Sequence, residues 1–236
     1  RVGLSSADLY QVNGPVNISR LGAICDLVDR PELKYPRFSH GMPEILREAP
    51  SILDVLDTTD VLLHHPYQSF APTMDMVRHA ARDPSVLAIK QTLYRTETDS
   101  EIVDALIEAA KAGKAVTVLI ELRARFDEAN NIKLATRLQQ AGANVVYGVV
   151  GYKVHAKGLL IVRRVANGVR RYVHLATGNY HAGTSRFYTD FGLMSSDPVL
   201  GEDLHRLFHG PQQSTVDQVP EQPGLGSQLP GRRVVT

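Results

Sequence analysis

Between residues 60 and 150, short apolar runs of strand length alternate with stretches whose apolar residues recur every three to four positions. No other feature restricts the fold so tightly. Asp60–His64 reads as a strand entering His65-Pro66-Tyr67, and Thr73–Arg82 as a helix with Met76, Val77 and Ala80 on one side. Val86–Tyr94 reads as a second strand, bounded by Asp83-Pro84. Ser100 is placed to cap a helix running to Ala112, with Gly113 at its end. Val116–Leu122 is a continuous apolar strand, Asn130–Ala141 a helix closed by Gly142, and Val145–Val150 a further strand. A strand-helix-strand-helix-strand order predicts parallel βαβ units.

The pattern then changes. Val154, Ala156 and Leu159–Val162 suit a strand that begins ahead of His155, and Arg171–Ala176 suits its partner across an Asn167-Gly168 turn. Tyr188–Met194 reads as another strand and Val199–Phe208 as a helix. The expectation is an α/β domain with a mixed sheet flanked by helices, from about residue 47 to 210.

Outside these bounds the chain differs. Residues 1–46 have too few apolar positions for a core of their own and read as the remnant of a preceding helical domain. There Asn17 is placed to cap a helix through Ile18, Leu21, Ile24 and Val28. Residues 211–236 are rich in Gln, Pro, Gly and Ser without periodicity, which predicts a disordered tail. The chain opens on Arg1 rather than Met, as a fragment would. A net charge of +1 argues against a generally basic nucleic-acid binder, so none is expected as a partner. A single cysteine, Cys25, excludes an internal disulfide and fits a reducing compartment. No apolar run reaches the roughly 20 residues that span a bilayer. The cytoplasm is the expected compartment.

The chemistry concentrates between Tyr152 and Tyr188. His155 and Lys157, two apart on a strand, would project from one face, where an imidazole nucleophile and a charge-neutralising ammonium suit a phosphoryl group. No other His-x-Lys occurs. Two polar residues at a solvent-facing strand edge are the plainer reading. Thr177-Gly178-Asn179 follows the next strand, at the kind of loop that builds sites. Arg95, Arg123 and Arg125 follow the ends of two strands that would be parallel, so three guanidinium groups could converge on one rim and grip phosphate oxygens. Equally, Arg123 or Arg125 could pair with Glu121, Asp127 or Glu128. Tyr188 suits either a core aromatic or a nucleotide contact. His64-His65 lacks the neighbouring ligands of a zinc site. No Gly-x-x-x-x-Gly-Lys loop and no kinase glycine-rich loop occur.

At these residues the chain closely resembles the type-1 polyphosphate kinase family. The resemblance is carried by His64-His65-Pro66-Tyr67-Gln68-Ser69-Phe70, Ala88-Ile89-Lys90-Gln91-Thr92-Leu93-Tyr94-Arg95 and Glu121-Leu122-Arg123-Ala124-Arg125-Phe126-Asp127-Glu128. Val154-His155-Ala156-Lys157, Thr177-Gly178-Asn179-Tyr180 and Arg186-Phe187-Tyr188-Thr189-Asp190 carry it further. It extends over residues 1–209 and stops near Phe208.

What the resemblance implies is reversible transfer of the ATP γ-phosphoryl group to inorganic polyphosphate through a phosphohistidine. The implied fold is one phospholipase-D-like half of a two-half catalytic core. His155 matches the phosphorylated histidine, with Lys157 beside it. Arg95 and Arg125 match positions of the magnesium-phosphate site, where an arginine can hold phosphate oxygens but cannot ligate Mg²⁺. Tyr188 matches a nucleotide-contacting tyrosine, and Arg123 and Asn179 join it as candidate contacts to ATP. The implied partners are ATP, ADP and polyphosphate, in a parent enzyme that assembles with itself and whose membrane association stays open.

The family draws a second histidine from a C-terminal half, so activity of this chain alone is expected to be impaired. Phospholipase-D enzymes carry Asp five residues after the lysine, where this chain has Val162. That departure favours the kinase over a phospholipase-D-type phosphodiesterase. A non-catalytic polyanion-binding module is the third alternative.

Overall fold

Residues 3, 5–36, 38–94, 100–121, 128–148, 154–213 and 234–235 are described by a computed structural model. The chain divides into two units, Arg1–Ser39 and His40–Thr236.

In the first unit Asn17 precedes helical structure as expected, but its backbone is left-handed (φ 60°) and its side chain caps nothing. Ile18–Ala23 winds as a 3₁₀ helix before one α-turn, α1 (Ile24–Leu27). None of the residues in these turns is buried. Without an apolar face to bury, a longer α-helix has nothing to hold it.

The second unit starts earlier than the composition suggests, because Gly41 exchanges backbone hydrogen bonds with the turn after the first strand (Gly41 N to Tyr67 O and Ser69 N to Gly41 O, both 2.8 Å). Its helices are α2 (Glu44–Arg47), α3 (Ile52–Leu56), α4 (Ala71–Arg82), α5 (Glu101–Lys111), α6 (Glu128–Gln140) and α7 (Pro198–Gln213). Its strands are β1 (Asp60–His65), β2 (Val86–Leu93), β3 (Ala115–Ile120), β4 (Asn144–Tyr147), β5 (Lys157–Val165), β6 (Gly168–Ala176), β7 (Asp190–Ser195) and the two-residue β8 (Val234–Val235).

All strands join one mixed sheet in the order β4-β3-β2-β5-β6-β7-β1-β8. β2, β3 and β4 are parallel neighbours, as the βαβ pattern predicts. β1 is not their neighbour: β7, β6 and β5 stand between it and β2, all in antiparallel pairings. The antiparallel pairings begin at the tight β5–β6 turn. Val165 pairs with Gly168 around Ala166-Asn167, one residue earlier than expected, with Gly168 at φ +125°. So short a turn allows only an antiparallel return.

This topology sets the chemistry. β1, β2, β3, β4 and β6 end on the same rim at which β5 and β7 begin. Loops from distant parts of the chain therefore meet there.

Alternation puts apolar residues on both faces of the sheet. Leu63, Ile89, Val118, Leu159 and Met194 belong to the large core, with Leu53, Met76, Val77, Leu106 and Leu134 from α3, α4, α5 and α6. Leu119, Leu160 and Val173 on the opposite face pack against Leu204 and Phe208 of α7.

Helix α4 starts at Ala71, ahead of the expected Thr73, because Pro72 suits a first turn. Ser100 flanks α5 with extended backbone but makes no side-chain cap bond. Gly113 and Gly142 follow α5 and α6 at φ +83° and +93°. Gly113→Ala is expected to cost roughly 1 kcal/mol, the left-handed penalty of an L-residue, measurable as a lower urea midpoint. Helix α7 continues past Phe208 to Gln213, and Val234–Val235 pairs with Asp60-Val61. The rest of the expected disordered tail lies outside the described residues.

Candidate active site at the sheet rim

The pairing of β5 with β6 stops at Lys157 opposite Ala176, so His155 lies in the lead-in to the strand rather than within it. The strand expected from Val154 therefore begins at Lys157, since among the described residues no strand partner extends beyond that point. His155 and Lys157 nonetheless meet. His155 is exposed, whereas Lys157 is 7% exposed. Its Nζ donates to the His155 carbonyl at 2.7 Å and lies 3.0 Å from Nδ1 and 3.1 Å from Nε2 of the ring. An ammonium can only donate, so this contact engages an unprotonated ring nitrogen. Burial pushes the Lys157 ammonium below the usual lysine range, and the Asp190 carboxylate opposes the shift.

Neighbouring strand ends position the pair. Val154 N donates to Glu121 Oε2 at 2.9 Å, just after β3. Gly158 N donates to Thr92 Oγ1 on β2 at 3.0 Å. The ring of Tyr94, just after β2, meets His155 edge to face at 5.4 Å and lies 5.4 Å from Lys157 Nζ. From α6, Asn131 Nδ2 donates to Glu121 O at 2.8 Å and Tyr94 O at 3.3 Å, tying the β2 and β3 ends together. Glu121, considered from sequence as a partner for Arg123 or Arg125, is 4% exposed and holds the His155 lead-in.

The other side of the rim is built by the β6–β7 connection. Thr177 Oγ1 donates to Asp190 Oδ1 at 2.8 Å and accepts from Phe191 N at 2.9 Å. Gly178 lets Asp190 approach, since a Cβ there would lie 2.5 Å from Asp190 Oδ2. Asn179 is half-buried, and its Oδ1 has no partner among the described residues. It lines a small cavity with His65, His174, Gly178 and Asp190.

Tyr188 is 65% exposed and lies in the loop before β7, with its backbone N donating to Thr184 O at 3.0 Å. It is not a core aromatic, and the strand expected from Tyr188 begins at Asp190. Arg95, Arg123 and Arg125 lie outside the described residues, although Tyr94 and Glu121 bring the chain to the rim immediately before them. His64 and His65 face opposite ways, as strand neighbours must. His64 stacks on Phe191 at 4.5 Å, while His65 Nδ1 donates to Gln68 O at 2.8 Å. Val162 points to the α7 face and packs there, so a carboxylate at that position would not reach the face that bears Lys157.

Reasoning from sequence missed Glu121, Asp190, Thr92 and His174 as parts of this site. Thr92, Glu121 and Asp190 each stand in one of the motif runs, which was the signal available, whereas His174 stands in none. His174 is fully buried beneath the rim, its Nδ1 2.9 Å from the Tyr180 hydroxyl and its Nε2 3.4 Å from Thr73 Oγ1.

Comparison with known proteins shows the family. Residues 51–216 match the family model described as polyphosphate kinase C-terminal domain 1. The chain is 58% identical over 207 residues to a polyphosphate kinase of Pseudomonas aeruginosa, covering 88% of this chain and 30% of that protein. It is 56% identical over 230 residues to one of Burkholderia cenocepacia, covering 96% of this chain and 32% of that protein. The crystal structure of polyphosphate kinase from Porphyromonas gingivalis superposes with a TM-score of 0.70 at 35% identity, covering 81% of this chain and 32% of that one. The chain thus spans about 30% of the length of the curated relatives it matches. It belongs to the polyphosphate kinase family.

Proposed function

We propose that this chain is the histidine-bearing half of a polyphosphate kinase active site, which moves the ATP γ-phosphoryl group reversibly onto inorganic polyphosphate. The observation that carries the reading is the contact of Lys157 Nζ with both the ring and the carbonyl of His155, at the rim where strand ends converge. A ring nitrogen of His155 attacks the γ-phosphorus, the P–N bond forms, and the bond to the β-γ bridging oxygen breaks to release ADP. In the second step a terminal oxygen of polyphosphate attacks the same phosphorus and the P–N bond breaks. Lys157 turns from the ring to the phosphoryl oxygens as the lone pair is used. Buried among strand ends, its charge acts through less solvent than a surface lysine's would. Arg95, Arg123 and Arg125 are assigned to phosphate oxygens and Tyr188 to the nucleotide.

Mg²⁺ is part of this reading. Among the described residues no group of three or more His, Cys, Asp or Glu could hold a metal ion. Magnesium keeps several waters and binds chiefly through substrate phosphates, so few protein ligands suffice. Among the described residues, Asp190 and the unpartnered Asn179 Oδ1 are oxygen donors beside the cavity at this rim. When bound, the ion would neutralise charge on the phosphate oxygens.

Incubation with γ-³²P-labelled ATP and Mg²⁺ tests the proposal. The expected result is acid-labile, alkali-stable label on the protein, with little sustained polyphosphate synthesis by this chain alone. Hydrolysis of a phosphodiester without labelling would replace the kinase by a phosphodiesterase. Salt-sensitive polyphosphate binding without labelling would leave a polyanion-binding module.

A further inference from the structure

A second set of basic side chains meets on the α7 side of the sheet. Lys90 of β2 and Arg171 of β6 share the face of Leu160 and Val173, opposite to the face that bears Lys157. Helix α7 lies over them. A Cβ on Gly201 would come within 2.9 Å of Arg171 Cβ, and the rings of His205 and His209, one turn apart, stand 4.1 Å from each other. Lys90 is three residues before the rim end of β2 and Arg171 five before that of β6, roughly 10 and 16 Å away at about 3.3 Å per residue.

The hydrogen bonding of this set is incomplete. His209 Nδ1 lies 2.8 Å from the His205 carbonyl, which can only accept, so Nδ1 carries the proton. Lys90 Nζ is 3.5 Å from that same Nδ1. Two donors face each other there, and Lys90 has no other polar partner among the described residues. His205 Nδ1 is buried and also without a partner. The carboxylate facing this set is Glu202, already shared between Arg171 and Arg206 at 3.3 Å each. Burial pushes both the Lys90 ammonium and the His205 imidazole down, and Arg171 adds to each shift.

We propose that Lys90, Arg171, His205 and His209 form an oxyanion site for a phosphoryl group, remote from the rim. Four basic groups with one shared carboxylate call for a compact anion with more than two acceptor oxygens. A phosphate meets that need, whereas a carboxylate has two oxygens and one charge. Two sources share the chemistry: free phosphate and one unit of a polyphosphate strand. The site goes beyond the proposed reaction, because an anion held there would not touch His155.

The test is an NMR titration of the histidine ring resonances of the full chain with inorganic phosphate and, separately, tripolyphosphate, against chloride at matched ionic strength. The His205 and His209 signals are expected to move saturably with the phosphates and not with chloride, and to do so in His155→Ala as well. Lys90→Met is expected to weaken the response about tenfold or more, the worth of a charged hydrogen bond. Glu202→Gln, which frees Arg171, is expected to tighten it several-fold. Similar affinities for the two probes would identify a single phosphate as the ligand. Tighter binding of tripolyphosphate, by about tenfold, would identify a strand. Unmoved signals, an equal response to chloride, or unchanged affinity in both variants would overturn the proposal. Should Lys90→Met fail to fold, Glu202→Gln decides alone, since lost structure cannot produce a gain of affinity.

Discussion

His155→Ala is expected to accept no acid-labile phosphate from ATP while keeping its fold. The ring is exposed on a lead-in that has no strand partner among the described residues, so its removal leaves no cavity in either apolar core. Circular dichroism and the urea midpoint should therefore match the parent within about 0.5 kcal/mol, as surface substitutions usually do. The chemistry should not survive, because no other histidine has an ammonium two residues away on the same lead-in. Lys157→Met gives the complementary result. Methionine fills the buried stem's space but cannot neutralise phosphoryl oxygens, and the labelling rate is expected to fall on the order of 10²–10³-fold, comparable to losing one oxyanion donor. Label appearing on His155→Ala at the parent's rate would remove His155 as nucleophile.

The second large effect is on stability in acid, and it centres on His174. Burial holds its imidazole down to about 3, against an ordinary value of 6.5, with His65 nearby adding to the shift. The unfolded chain takes up this proton near 6.5 and the folded chain only near 3. Below 6.5 the unfolded state therefore binds more protons, and stability falls with pH. The contribution is complete above about pH 6.5. It is lost at about 1.4 kcal/mol per pH unit as pH drops toward 3, roughly 4–5 kcal/mol at the limit. His65, also pushed down by burial, acts with the same sign.

Urea unfolding between pH 4 and 8 measures this directly. His174→Gln, which can still hydrogen-bond but does not titrate, should flatten the acid limb while lowering stability at pH 7.5 by about 2–4 kcal/mol. An unchanged acid limb in the variant would show that other groups dominate. Gly192→Ala probes the same packing: its Cβ would sit 2.7 Å from His174 Nε2, so an overpacking cost of about 1–3 kcal/mol is expected.

Much of this protein was legible in local pattern. Periods of 2 and 3.6 residues, with glycines at Gly113 and Gly142, marked the strands and helices to within a few residues. These signals are local because backbone sterics and one-sided burial are local. The motif runs carried the family as well. Two errors, and one feature on which the pattern was silent, share one origin. The strand expected from Val154 starts at Lys157, that expected from Tyr188 starts at Asp190, and three strands separate β1 from β2. Each depends on which strand is available to pair, and no window of sequence contains that information.

The residue types that the proposed phosphoryl transfer would use, and the segments that carry them, follow from the order of amino acids alone. The site does not. Glu121 grips the backbone ahead of His155, Thr92 anchors Gly158, Asp190 bears on Lys157, and His174 packs beneath the rim, each from a different part of the chain. They meet because β5 and β7 run against the other strands, so that two strand beginnings share a rim with five strand endings. Long-range pairing in the folded sheet turns scattered polar residues into one arrangement around a single imidazole.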